Sequence, residues 1–214
     1  DERTRIAREI HDEFGQQLPE LDLGGGYGIS YLPSDEPLLP TVVLPALFDA
    51  VQSSCATYDL DLPRVSIEPG RAIVGPAMFT LYEVGTTKEV ALESGATRNY
   101  ISVDGGMSDN IRSSLYDAEY TAVIANRVSD SAVTAARVVG KHCETGDIVI
   151  RDIALPADVV PGDLLAVPAT GAYGRSMASN YNHVPRPPVI AVINGKARAI
   201  LRRETEADLL GLDV

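Results

Sequence analysis

At the start of the chain the apolar side chains Ile6, Ile10 and Phe14 recur at every fourth position, with Arg, Glu and Asp between them, and Gly15 follows. That spacing predicts an amphipathic helix stopped by a glycine. Leu21-Asp22-Leu23 then runs into Gly24-Gly25-Gly26-Tyr27-Gly28, which reads as a short strand opening into a glycine turn. Leu44, Phe48, Val51, Cys55 and Tyr58 stand four, three, four and three residues apart. They form the stripe of a second helix, with Pro45 in its first turn and Cys55 as a small core residue. Val65-Ser66-Ile67 leads on to Glu68-Pro69-Gly70-Arg71, so residues 1–76 read as helix, strand, helix, strand, the alternation of a parallel α/β unit. This is too little to close a (β/α)8 barrel of roughly 250 residues, so the segment is expected to be the last portion of one, entered partway.

Beyond Phe79 the period changes. FTLYEVGTTKEVAL, NYISVDGG, YTAVIANRV, AARVVGK, DIVIRDIAL and DLLAVPAT are short β-rich runs split by Gly, Pro and Asp, which predicts an antiparallel β-barrel or sandwich over residues 77–214. The expected fold class is therefore α/β plus all-β. In VIAVINGKARAIL, Asn194-Gly195 between two apolar arms predicts a hairpin. Thr205, with Asp208 three residues on, resembles a capping box ahead of Leu209 and Leu210, so a brief final helix should follow.

Composition narrows the partners. Apolar residues make up 45% and charged residues 22% of the chain, as in a globular protein, and no apolar run approaches the ~18 residues of a membrane span. A net charge of -12 argues against a nucleic-acid surface and against docking on anionic lipid, which leaves a small molecule or another protein. The opening residues lack a signal-peptide core and the chain has no Asn-x-Ser/Thr site, so a reducing cytoplasm is expected, with Cys55 and Cys143 as free thiols.

Several stretches carry candidate chemistry. Without Cβ atoms, Gly24, Gly25 and Gly26 let backbone N–H groups approach an anion such as a phosphate, although a plain tight turn has the same composition. Glu68 and Arg71 at a strand end either pair with each other or serve a ligand, Arg71 forking onto a carboxylate while Glu68 holds a proton on a ring nitrogen. In SDNIRSSLY, Ser108 or Asp109 is the expected N-cap, and Arg112 and Tyr116 lie four apart on one helical face. His142-Cys143-Glu144 invites a thiol dyad or a zinc site. Neighbours on an extended strand face opposite ways and only His11 and His183 remain as further imidazoles, so no metal is expected. Tyr173 lies in a Gly-flanked loop, either as an anchor or against a ligand.

Together LDLGGG, EPGR, SVDGGMSDNIRSSLY, HCETGD and ATGAYG, in that order and spacing, resemble the C-terminal half of the diaminopimelate decarboxylases, from about Leu18 onward. Those are pyridoxal-phosphate enzymes with an alanine-racemase-like barrel followed by a β-domain. The resemblance implies that Gly24, Gly25, Gly26 and Gly70 bind the cofactor phosphate and that Glu68 faces the pyridine nitrogen. It implies that Arg71, Arg112 and Tyr116 hold the carboxylate at the unreactive end of the substrate, that Glu144 takes the distal ammonium, and that Tyr173 lies beside cofactor and substrate. Cys143 would reprotonate the carbanion, and with Glu144 it would come from the other subunit of a homodimer. The implied reaction is decarboxylation of meso-2,6-diaminopimelate to L-lysine. Related ornithine and arginine decarboxylases typically carry Asp after the Cys and need no distal carboxylate clamp, so Glu144 and Arg112 favour diaminopimelate.

The family's cofactor-linking lysine and ring-stacking histidine belong to earlier barrel strands, and Lys88, Lys141 and Lys196 have no such setting. The chain is thus expected to be an incomplete enzyme, inactive alone, with apolar faces left bare on its early elements. Two rival readings stay open: an ornithine- or arginine-type decarboxylase, and a non-catalytic dimerisation or binding module of the same fold.

Overall fold

The period-four apolar pattern at the start does form a helix, α1 (Glu2–Phe14), in the computed structural model, which describes residues 2–15 and 19–214. Arg5 pairs with Glu2 and Glu9, and Arg8 with Asp12, all at helical spacings on its exposed face. Gly15 ends it at φ 62°, its N–H donating to the His11 carbonyl at 2.8 Å. This left-handed angle is the one a glycine stop supplies.

Strand β1 (Glu20–Asp22), helix α2 (Pro40–Thr57) and strand β2 (Arg64–Ser66) follow, and β1 pairs β2 in parallel, Glu20 opposite Arg64 and Asp22 opposite Ser66. On α2, Val51 and Cys55 are buried as the stripe requires, whereas Val42 and Phe48 stay exposed, as do Leu38 and Leu39 just before the helix. The helix begins earlier than the apolar stripe suggests. Pro40 takes the first turn, because its fixed φ and missing N–H suit a helix start. Pro45, expected in that first turn, therefore lies inside the helix and deletes one backbone hydrogen bond. A short helix, α3 (Gly70–Val74), and a 3-10 turn (Gly75–Ala77) close this region.

The chain divides into two units, one of Asp1–Ser30 and Ser34–Gly75, the other of Tyr31–Pro33 and Pro76–Val214. The second contains β3 (Phe79–Ala91), β4 (Thr97–Val103), α4 (Arg112–Tyr116), β5 (Val123–Ile124), β6 (Val133–Val139), β7 (Ile148–Pro156) and β8 (Leu164–Pro168). After these come α5 (Gly174–Met177), a 3-10 turn (Tyr181–His183), β9 (Val189–Ile193), β10 (Lys196–Leu201) and α6 (Glu206–Leu210). Six strands form one sheet in the order β5-β8-β3-β4-β6-β7. The expectation of a purely antiparallel domain is corrected here, since β4 and β6 run parallel. Their connection passes through α4 and β5 and is long enough to return the chain in the same direction, which a tight hairpin cannot do.

The core of this unit alternates along the strands as a half-buried sheet requires. Tyr82 and Val84 of β3, Ile101 and Val103 of β4, Val138 of β6, and Leu165 and Val167 of β8 are all 3% exposed or less. Each such side chain contributes about 1.5–3 kcal/mol by leaving water. The Asn194-Gly195 hairpin forms between β9 and β10 with both residues at positive φ, 52° and 73°, the angles of a type I′ turn. At the start of α6 the Asp208 carboxylate accepts from the N–H and the hydroxyl of Thr205, each at 2.8 Å.

Two buried carboxylates lock loops of this unit. Asp147, 3% exposed, accepts from the N–H of Met107 at 2.6 Å and of His142 at 2.7 Å. Gly106 and Gly140 flank it so closely that a Cβ at either position would collide with the carboxylate. Asp163 takes both Nε and Nη2 of Arg127 at 2.7 Å, and Arg127 also reaches Asp158 at 2.8 Å.

Asp147→Ala leaves two buried N–H groups without acceptors and should cost about 2–4 kcal/mol in chemical denaturation. The hydrogen bonds from Arg127 hold the Asp163 carboxyl down to about 2 from its ordinary 3.8. A depressed folded-state value stabilises the fold fully above the unfolded-state value and ceases to do so as pH falls through the folded one. Stability measured between pH 5 and 2 should therefore drop less steeply in Asp163→Asn than in the parent protein.

Candidate active site

Because β1 and β2 are parallel neighbours, the segments leaving their C-terminal ends emerge side by side. The pairing continues past the strands: Leu23 N–H donates to the Ser66 carbonyl and Glu68 N–H to the Gly24 carbonyl, both at 2.9 Å. Gly24 and Gly26 sit at φ 75° and 92°, and a Cβ on Gly25 would lie 2.7 Å from the Glu68 carbonyl oxygen. Glycine is thus required three times running, twice by backbone angle and once by space. Among the described residues the N–H groups of Gly25 and Gly26 donate no hydrogen bond, so two amide donors remain at the tip of a strand. Gly70 has open space where a side chain would be.

The structure brings Gly24, Gly25, Gly26, Glu68 and Arg71 together in this first unit. The Glu68–Arg71 ion pair left open by the sequence does not form. Arg71 instead donates from Nε to the Tyr27 carbonyl at 3.2 Å and from Nη2 to the Gly26 carbonyl at 3.3 Å, bracing the glycine turn from behind. Glu68 is exposed, with no ion-pair or hydrogen-bond partner for its carboxylate among the described residues. Free amides and an unpaired carboxylate side by side suit a ligand with a phosphate and a protonated ring nitrogen.

In the second unit, Arg112 is ringed by tyrosines. Its Nη1 donates to the hydroxyls of Tyr31 at 2.9 Å and Tyr120 at 2.8 Å. Its guanidinium carbon stands 5.0 Å from the centroid of Tyr31 and 5.3 Å from that of Tyr173, within cation–π range. Burial pushes the Tyr120 hydroxyl above its ordinary pKa, so it stays neutral. No carboxylate among the described residues pairs with Arg112, which makes it a fixed cation with donors to spare for an anion. Tyr173, at φ 70°, is held in a left-handed backbone conformation unusual for an aromatic residue.

Tyr116, the last residue of the five-residue α4, is 62% exposed and its hydroxyl makes no hydrogen bond to Arg112. Nor do Ser108 and Asp109 cap α4, whose N-cap is Ile111. Ser108 Oγ lies 2.9 Å from His142 Nε2, while Asp109 accepts from Gly106 N–H at 2.8 Å and from the Tyr82 hydroxyl. Burial raises the Asp109 carboxyl above its usual range despite these bonds. Both side chains are spent on holding neighbouring loops, which a local capping rule cannot foresee.

Cys143 and Glu144 ride on the loop that Asp147 pins, and both are exposed. The Glu144 carboxylate takes a hydrogen bond from the Tyr181 hydroxyl and pairs with no cation among the described residues. Neither Cys143 nor Glu144 hydrogen-bonds to Arg112 or Tyr173. Cys55 and Cys143 are both free thiols. Among the described residues no cluster of three or more His, Cys, Asp or Glu could hold a metal, and no helix is long and apolar enough to cross a membrane. Sequence reasoning missed Tyr31, Tyr120, Asp147 and Tyr181. Tyr120 lies eight residues beyond Arg112 and was the most accessible of them, whereas Tyr31 reaches Arg112 across 81 residues.

Comparison with known proteins gives these clusters a context. The model of the pyridoxal-binding domain of pyridoxal-dependent decarboxylases matches residues 1–75, and that of their C-terminal sheet domain matches residues 39–171. The chain is 52% identical to diaminopimelate decarboxylase of Mycobacterium tuberculosis over 213 residues, covering 98% of this chain and 48% of that protein. It is 53% identical to the one of Corynebacterium efficiens, covering 98% and 46%. The chain therefore spans about half the length of the curated relatives it matches. Among solved structures it resembles diaminopimelate decarboxylase of M. jannaschii in complex with L-lysine, with TM-score 0.84 and 30% identity, over 98% of this chain and 46% of that one. The lysine/ornithine decarboxylase of Vibrio vulnificus, at TM-score 0.66 and 20% identity over 86% and 46%, shares the fold. With the sheet-domain model covering more than half of it, the chain belongs to the pyridoxal-dependent decarboxylase family.

Proposed function

We propose that this protein takes part in the decarboxylation of meso-2,6-diaminopimelate to L-lysine, with pyridoxal phosphate as cofactor, in the cytoplasm and as a homodimer. The reading rests on one observation above all: Arg112 and Glu144 are fixed, oppositely charged and without an ion-pair partner among the described residues. A ligand end that carries both a carboxylate and an ammonium calls for that combination, whereas the single distal cation of an ornithine-like substrate gives Arg112 no counterpart. The high identity to relatives named diaminopimelate decarboxylase supports the same choice. The β1–α2–β2 region is read as the final part of a (β/α)8 barrel, and residues 77–214 as the β-domain that follows it.

Gly25 and Gly26 would donate their free amides to the cofactor phosphate, with Gly24 and Gly70 leaving room beside it. Glu68 would hold a proton on the pyridine nitrogen. The bound cofactor supplies an electron sink for the pair of electrons left when carbon dioxide departs. Arg112, with Arg71 and Tyr116, would take the carboxylate at the unreactive end, and Glu144 the ammonium beside it. Tyr173 would line the cofactor. Cys143 would give its Sγ proton to the α-carbon, an S–H bond breaking as the C–H bond forms, and would act with Glu144 in the partner subunit's site.

The three lysines, Lys88, Lys141 and Lys196, all lie in the second unit and are exposed. The glycine turn and Glu68 belong to the first, whose own residues include no lysine for a covalent link to the cofactor. Mixed with pyridoxal phosphate, the isolated 214-residue chain should show no Schiff-base absorbance at that site. In the full-length protein, Gly25→Ala drives a methyl group against the Glu68 carbonyl and should weaken pyridoxal phosphate at least about tenfold in a fluorescence titration. Unchanged affinity would remove the glycine turn from the cofactor site.

A further inference from the structure

Glu144 stands on an exposed loop, yet it is not loose. The Tyr181 hydroxyl donates to its Oε1, while Oε2 has no hydrogen bond among the described residues. Tyr181 is itself gripped from two sides. Its ring meets that of His142 edge-on, with centroids 5.4 Å apart and planes at 61°. His142 is buried, and is fixed through Nε2 to Ser108 Oγ at 2.9 Å and through its N–H to Asp147 at 2.7 Å. From the other side comes the backbone. Asn182 and His183, immediately after Tyr181, have φ of 53° and 57°, left-handed angles that side-chain-bearing residues avoid and that persist only where the surroundings impose them.

Those surroundings are present. Asn180 Nδ2 donates to the Val184 carbonyl at 3.1 Å and to Glu204 at 2.7 Å. Glu204 in turn takes the Arg186 N–H at 2.8 Å and its guanidinium at 2.7 Å. Ser179 N–H donates to the Ser108 carbonyl at 2.8 Å, which ties the turn to the residue that holds His142. An exposed tyrosine is thus seated by a strained, cross-braced turn on one flank and a buried imidazole on the other. Among the described residues the one polar group its hydroxyl addresses is the Glu144 carboxylate. That carboxylate raises the hydroxyl above its ordinary pKa, so Tyr181 remains a donor at neutral pH.

We propose that Tyr181 is a positioning residue for Glu144: its hydroxyl fixes Oε1 and leaves Oε2 as the acceptor for the ammonium of the ligand, with His142 as the buttress of the tyrosine ring. The inference rests on the reading that Glu144 takes the distal ammonium. It adds a specificity element to that reading, since a carboxylate with one oxygen anchored can answer only a cation placed at one distance.

The test uses the full-length protein loaded with pyridoxal phosphate, as parent, Tyr181→Phe, Glu144→Gln and the double variant. Each is titrated calorimetrically with L-lysine and assayed on meso-diaminopimelate, with thermal unfolding to verify folding. Phenylalanine keeps the ring against His142 and removes only the hydroxyl. Tyr181→Phe should weaken L-lysine and raise KM by about tenfold, the worth of one hydrogen bond to a charged group. Its kcat should stay within about twofold of the parent, as when binding common to ground and transition states is lost. The double variant should be no worse than Glu144→Gln, because the tyrosine acts only through that carboxylate. If Glu144→Gln loses affinity while Tyr181→Phe binds L-lysine like the parent, the inference falls and the role of Glu144 stands. A silent Glu144→Gln overturns both. Additive losses in the double variant, or a fall in kcat at unchanged KM, overturn the positioning role alone.

Discussion

The candidate cofactor cradle depends on the parallel pairing of two three-residue strands. β1 and β2 are short, but their register carries on past their ends, so the carbonyl of Gly24 receives the N–H of Glu68. That single backbone bond sets the glycine turn against the carboxylate-bearing segment. Everything asked of the glycines follows from it. Gly25 can have no side chain because Glu68 is there, and its neighbours bend into left-handed angles so that the turn clears β2 and keeps its amides free. In an antiparallel pair the two segments would leave from opposite ends, and no such cradle would form.

In the second unit a buried carboxylate plays the comparable part. Asp147 has two backbone donors and two glycines around it, and through them it joins the loop before α4 to the loop that carries Cys143 and Glu144. The cost of burying a charge is offset because both N–H groups would otherwise be unsatisfied. Cys143 and Glu144 can then remain exposed and still be held, since His142 and Asp147 anchor the loop on either side of them. Arg112 obeys a similar logic. Three tyrosines hold it by hydroxyl and ring face, which fixes its position and spends few of its donors. Each unit thus presents charge that no opposite charge among the described residues neutralises, Glu68 in the first and Arg112 and Glu144 in the second.

Much of the fold was legible because the signals were local. Gly15 as a helix stop, the Asn194-Gly195 turn and the β-rich run FTLYEVGTTKEVAL each reflect a rule acting within a few residues. The glycine run and EPGR were legible as a pair because a parallel strand–helix–strand unit has one sensible arrangement. What escaped was non-local or a contest between rules. Pro40 and Pro45 competed for the helix start, and the one with the better position took it. The parallel β4–β6 pair is set by the length of a connection whose own strands are weak. Ser108 and Asp109 had the composition of caps but found stronger partners in His142 and Tyr82, far along the chain. Tyr31, remote from Arg112 in sequence, left no signal at all.

The central claim is that an arginine and a glutamate, neither of which meets an opposite charge among the described residues, select a substrate whose unreactive end is itself a zwitterion. The most direct measurement is carbon dioxide release by the full-length protein with pyridoxal phosphate, offered meso-diaminopimelate, ornithine and arginine at equal concentration. Turnover of meso-diaminopimelate with accumulation of L-lysine, and little or none of the other two, is the expected result. Preference for ornithine or arginine, or no turnover of any of the three by a folded and cofactor-loaded protein, would contradict it.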